Sequence, residues 1–149
     1  MKILFINGSP NAKGNTAILA KQLLRDHIYE TLALIDYRIN SYGQTLPGDQ
    51  LDIIINKIRD ADIVIIGSPL YWHNICGSVR NMLDRFYNTV PQGSFLGKKL
   101  FFVFQGASPE KWMLKGGEYT IQRFAKLYAM KYEGMVTTTD DVKRLSDKI

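Results

Sequence analysis

Apolar residues fall along this chain in two patterns, short unbroken runs and stripes with helical spacing. The runs are "KILFI" (2–6), "TLALID" (31–36), "DIVIIG" (62–67), "KKLFFVF" (98–104) and "EGMVTT" (133–138). Consecutive apolar positions suit a strand covered on both faces, as in a buried parallel sheet. Between the runs lie the stripes. Leu19, Ala20, Leu23 and Leu24 mark a helix over 16–27, and Leu51, Ile54, Ile55 and Ile58 mark a second. Val79, Met82, Leu83 and Phe86 repeat the spacing, as do Ile121, Phe124, Ala125 and Tyr128. A short helix over "DDVKRLSDKI" ends the alternation. Strand and helix thus take turns throughout, which predicts an α/β doubly wound three-layer sandwich around a five-stranded parallel sheet.

At 149 residues, without linker, repeat or low-complexity stretch, the chain is expected to form a single domain over 1–149. No apolar stretch is long enough to span a bilayer, and "KILFI" directly after Met1 is too short for a signal peptide. A soluble, cytoplasmic protein with no membrane partner is expected. Cys76 is the single cysteine, which excludes an internal disulfide and a cysteine-built cluster within one chain. The net charge of +5 is spread over dispersed Lys and Arg, with no basic run interleaved with aromatics. No nucleic-acid partner is expected, and a positive surface suits small anionic substrates.

In a doubly wound sheet, ligands bind beyond the carboxyl ends of the strands. Three loops lie there: "NGSPNAKGNT", "SPLYWHNICGS" and "QGASPEKWMLKGG". The first is neither of the common nucleotide loops. After Gly8 and four residues it reads Lys13-Gly14 where a Walker A loop has Gly-Lys, and a dinucleotide fingerprint would need glycine at Pro10. It does offer Ser9, Asn15 and Thr16 as side-chain donors, while Gly8 and Gly14 let backbone N–H groups turn inward at a helix start. Such a set suits a terminal phosphate. Lys13 either adds a point charge or lies in solvent, and the plainer reading of the loop is a turn with Asn15 or Thr16 as helix cap. A phosphoacceptor receiver domain is excluded because Asn7, not a carboxylate, ends the first strand. A cysteine phosphatase is unsupported, and Cys76 reads as a packing residue.

The second loop sets Pro69, Tyr71, Trp72 and His73 together just past the most apolar strand. Backbone groups there can read the edge of a flat heteroaromatic ring while Tyr71 or Trp72 packs on its face. The alternative is that these aromatics only cover the core. His73 reads as a wall residue, His27 as a partner of the first helix's dipole, and Asp84 with Arg85 as a solvated face.

Taken together, Gly8-Ser9-Pro10, Gly14-Asn15-Thr16, Ser68-Pro69-Leu70-Tyr71-Trp72, Gly77 and the helix "SVRNMLDRF" resemble the NAD(P)H-dependent FMN reductase and quinone reductase family. The resemblance runs over nearly the whole chain. It implies a flavodoxin-like strand order 2-1-3-4-5 and one FMN at the carboxyl edge of the sheet. Ser9, Asn11, Lys13, Gly14, Asn15 and Thr16 would hold the phosphate; Pro69, Leu70, Tyr71, Trp72 and His73 would line the ring; Gln105, Gly106 and Ala107 would close over it. It also implies NAD(P)H as co-substrate, a ping-pong cycle to a quinone, azo, nitroaromatic or flavin acceptor, and a homodimer or higher homo-oligomer built partly by the last segment. Because the cofactor carries the hydride chemistry, no catalytic side chain is expected, and no metal site. The cysteines of the family's iron–sulfur branch are absent. A flavodoxin-type electron carrier is the competing reading; such carriers are acidic, whereas this chain is basic. A module that binds FMN without turnover is the third.

Overall fold

The computed structural model describes residues 1–149. Five parallel strands build the sheet: β1 (Ile3–Asn7), β2 (Glu30–Ala33), β3 (Ile63–Tyr71), β5 (Lys99–Gln105) and β6 (Lys131–Val136), while β4 (Asn74–Ile75) folds back antiparallel on β3. The order is β2-β1-β3-β5-β6, with β4 off the path. Allowing for that extra arm, the parallel strands keep the expected succession; the fold class stands and the strand count rises from five to six. The helices are α1 (Asn15–Leu24), α2 (Leu51–Asp60), α3 (Gly77–Phe86), α4 (Lys111–Leu127) and α5 (Thr139–Leu145).

Strand side chains alternate between two cores, as the period of two in a pleated strand requires. Leu4 and Ile6, Val64 and Ile66, and Leu100, Phe102 and Phe104 meet α2, α3 and α4 on one face. Ile3 and Phe5, Ile63 and Ile65, and Phe101 and Val103 meet α1 and α5 on the other. Each predicted stripe turns inward, with Leu19 only partly covered. The last segment forms the seven-residue α5, with a capping box between Thr138 and Asp141, and Leu145 is fully buried in its own chain.

Two boundaries differ from expectation for local reasons. β2 stops at Ala33 and Leu34–Asp36 form a 3-10 turn. The segment 105–117, expected as a loop, is loop only to Glu110, because α4 starts at Lys111 and runs straight through Gly116 and Gly117. Those two glycines do opposite things. A Cβ on Gly117 would stand 2.3 Å from Phe104 Cε1, so the helix lies on the sheet there by lacking a side chain. A Cβ on Gly116 would meet nothing within 4 Å.

Neighbouring substitutions should therefore move stability in opposite directions. Gly116→Ala gains helix propensity and stabilises by about 0.5–1 kcal/mol. In Gly117→Ala the same gain is outweighed by overpacking against a rigid buried ring, for a net loss of about 1–2 kcal/mol. Urea unfolding of both variants checks the signs; equal effects would show that α4 does not rest on Phe104.

Candidate functional site

The carboxyl ends of β1 and β3 meet at Gly8. Its N–H donates to Gly67 C=O at 2.8 Å, and its own C=O accepts from Ser78 Oγ at 2.9 Å and Cys76 Sγ at 3.4 Å. A Cβ on Gly8 would lie 2.4 Å from Val79 Cγ2 and 2.9 Å from the Gly67 oxygen, so only glycine fits. Cys76 is buried and bonded there, in keeping with a packing role.

Beyond Gly8 the loop is shaped by its own polar side chains. Asn7 Oδ1 accepts from the N–H of Ser9, Ser9 Oγ from that of Asn11, and Asn11 Oδ1 from that of Lys13, at 3.0–3.1 Å. Each is a side chain closing on backbone two residues ahead. The loop then enters α1 with Gly14 as the capping residue and no side-chain cap. The plainer sequence reading holds for the turns of the loop and fails at the cap, which is neither Asn15 nor Thr16. The N–H groups of Asn15, Thr16 and Ala17 have no acceptor in the protein. Thr16, 1% exposed, accepts at Oγ1 from Gln105 Nε2 at 3.3 Å, and Ser9, 7% exposed, accepts at Oγ from Asn11; neither hydroxyl proton has an acceptor. This corner is rich in donors and poor in acceptors, and the positive end of α1 adds to it. Its chemistry is that of an anion site.

Several expected members behave differently from one another. Asn11 spends its oxygen on the loop and keeps its amide N–H groups. Lys13 lines a groove of about 370 Å³ with Ala17, Ile18, Lys21 and Tyr29 along the outer side of α1. It is exposed.

The second expected loop is a hairpin. Apolar pairing carries β3 on to Tyr71, Leu70 pairs with Ile75 and Tyr71 with Asn74, and Trp72 and His73 form the two-residue turn. Both have left-handed φ, 48° and 66°, the geometry that lets a tight turn match the twist of its strands. Ser68, fully buried, ties the base: its Oγ accepts from the Cys76 N–H at 2.8 Å and donates to Pro69 C=O. Leu70 lies beneath Gly106, where an added Cβ would come within 3.0 Å of Leu70 Cβ. Pro69 is in register with Gln105. Tyr71 is half exposed, Trp72 is 95% exposed, and the His73 ring tilts against Trp112 of α4 with centroids 5.6 Å apart. The fold thus brings residues 9–16, 69–73 and 105–107 to one edge, joined by Gly8–Gly67 and Thr16–Gln105.

Asn7, Ser68, Ser78 and Trp112 complete this edge without having been expected as site residues. The alternation Asn7, Ser9, Asn11 carried the signal for the first of these; Trp112 was hidden because the start of α4 read as loop. Arg85 corrects a further expectation. It is not solvated but binds Asp49 through both Nη atoms and the Asn40 carbonyl, and this guanidinium holds the Asp49 carboxyl below the usual carboxylate range. Asp84 is exposed as expected. His27 Nδ1 sits 2.8 Å from Leu24 C=O at the end of α1, as the dipole reading requires.

This geometry agrees with what the chain resembles. The profile of the NADPH-dependent FMN reductase family matches residues 1–114. An iron–sulfur flavoprotein of Archaeoglobus fulgidus is 35% identical over 98 residues, 57% of this chain and 48% of that one. An NAD(P)H dehydrogenase (quinone) of Geotalea uraniireducens is 34% identical over 82 residues, 55% of this chain and 37% of that one. The chain spans about half the length, or less, of the curated relatives it matches. Among solved structures, a flavone reductase superposes with a TM-score of 0.80 at 18% identity, covering 99% of this chain and 60% of its own, which shows the shared fold. With sequence profile and fold in agreement, the chain belongs to the NADPH-dependent FMN reductase family, flavodoxin-like flavoproteins whose cofactor is FMN.

Proposed function

We propose that this chain binds FMN along the edge described above and works as an NAD(P)H-dependent oxidoreductase. The observation that carries the reading is the uncapped, donor-rich first turn of α1 beside an aromatic hairpin: a phosphate and a flat ring are what those two features suit. The phosphate dianion would take the free N–H groups of Asn15, Thr16 and Ala17 and the hydroxyl protons of Ser9 and Thr16, with Asn11 and Asn15 amides at the rim. Pro69, Leu70, Tyr71, Trp72 and His73 would wall the ring, with Gln105, Gly106 and Ala107 below. Bound there, FMN supplies the two-electron chemistry between a nicotinamide and a second substrate.

The chain's own part is to position and to attract. Gln105, held by Thr16, links the phosphate corner to the ring wall, and the net charge of +5 draws in anionic nicotinamide dinucleotides. One open mouth serves donor and acceptor in turn, which makes the cycle ping-pong and suits flat acceptors: quinones, azo compounds, nitroaromatics or free flavin. The basic balance favours this over an electron carrier, whose partners call for an acidic surface.

A second copy of the chain fits the α3–α4 face. Tyr42 and Tyr87 stand 56% and 63% exposed, around a groove of about 340 Å³ that Arg80, Leu83, Asp84 and Phe124 help to line. Arg80 and Asp84 are one helical turn apart with opposite charge, so a two-fold axis across α3 lets each pair with its counterpart in the other copy.

Purified protein mixed with FMN should be yellow and should bleach under anaerobic NADH or NADPH. Failure to take up FMN sinks the cofactor site, and a yellow protein that neither nucleotide bleaches returns the carrier reading. Thr16→Val, which keeps the shape and removes the hydroxyl, should weaken FMN binding about tenfold and leave riboflavin binding unchanged. Equal losses for both would place Thr16 outside the phosphate corner. Sedimentation should show a dimer that Arg80→Glu weakens and Arg80→Glu with Asp84→Arg restores; a monomeric wild type refutes the interface.

A further inference from the structure

The chain's two tryptophans both stand at the rim of the ring site, yet they are held very differently. Trp72, at the hairpin tip, is almost fully exposed. Trp112, in the first turn of α4, is 57% exposed and fixed at two points. Its Nε1–H donates to Glu110 Oε2 at 3.0 Å, and its ring meets His73 at 42° with centroids 5.6 Å apart. This contact reaches from the hairpin to α4, across the loop 106–110.

The hairpin needs outside support. Two consecutive residues with left-handed φ, neither of them Gly, Asn or Asp, make an unfavourable turn. Only the pairs Leu70–Ile75 and Tyr71–Asn74 hold the arms together, and so short a ribbon is marginal by itself. Ser68 fastens the base, whereas the tip is touched from outside by Trp112.

We propose that Trp112 is a positioning residue: oriented by Glu110, it pins His73 and thereby holds Leu70–His73 as a rigid wall for the flat rings that meet at this edge. The proposal deepens the flavin reading above and rests on it for the identity of those rings. It separates the two halves of the site. The corner at Ser9–Thr16 has its own bonds and does not touch Trp112, so the hold on a phosphate and the fit of a ring should respond independently.

Trp112→Ala and Trp112→Phe each leave Trp72 as the sole tryptophan, which makes the tip its own reporter. In protein without flavin, time-resolved anisotropy of Trp72 should gain a fast component in Trp112→Ala and keep the slow decay in Trp112→Phe, whose ring still meets His73. In FMN-loaded protein, Trp112→Ala should raise KM for the flat acceptor on the order of tenfold with kcat changed less, and Trp112→Phe should restore it. FMN affinity should change less than threefold in either, about 0.65 kcal/mol. Identical anisotropy in the two variants overturns the proposal, as does an FMN loss that matches the KM change. If wild type takes up no FMN, the flavin reading fails by itself, and the anisotropy comparison still decides whether Trp112 holds the hairpin.

Discussion

The site depends on one close approach, that of the Gly8 backbone to the end of β3. Gly8 has no side chain, so its N–H reaches the Gly67 carbonyl and its carbonyl reaches the start of α3 through Ser78 and Cys76. Three elements are thereby locked at one point. Any side chain there would meet Val79, Cys76 and the Gly67 oxygen below contact distance. Were β1 and β3 pushed apart at this end, α1 would no longer start where Thr16 can meet Gln105.

From that anchor, the donor-rich corner at the start of α1 is built by leaving groups unpaired. The side chains of Asn7, Ser9 and Asn11 satisfy the loop's backbone in steps of two residues, and Gly14 then opens α1 without a cap. A Ser, Asn or Asp in place of Gly14 would supply a side-chain cap and add roughly a few tenths of a kcal/mol of stability. Here the donors stay free, which has a purpose only if an anion takes them. The ring side follows the opposite logic. Its hairpin turn is strained and is held by contacts from outside, first at Ser68 and then at Trp112. One half of the site is open for want of a partner, the other rigid because of neighbours.

The two halves were unequally legible. The strands and the inward stripes of α2, α3 and α4 follow from apolar spacing alone, since a residue that must be buried repeats at the pitch of its element. The donor-rich loop before α1 was legible from residue type, because Gly, Ser, Asn and Thr are the residues of turns and helix starts; that α1 begins without a side-chain cap was not. Nor was the hairpin. Nothing in Tyr71-Trp72-His73-Asn74 carries the Gly or Asn that a tight turn ordinarily shows, so it read as open loop. Arg85 went unread for a similar reason: its partner Asp49 is distant along the chain and close only after folding.

By itself, then, the sequence determined the alternation of elements, the doubly wound class and a donor-rich loop before α1, because these rest on periodicity and on local backbone preference. Tertiary structure alone decided that Arg85 meets Asp49, that Thr16 meets Gln105, and that His73 meets Trp112 across a loop. Such pairings depend on where separate elements come to rest against the sheet. Residue type and spacing carry no record of that.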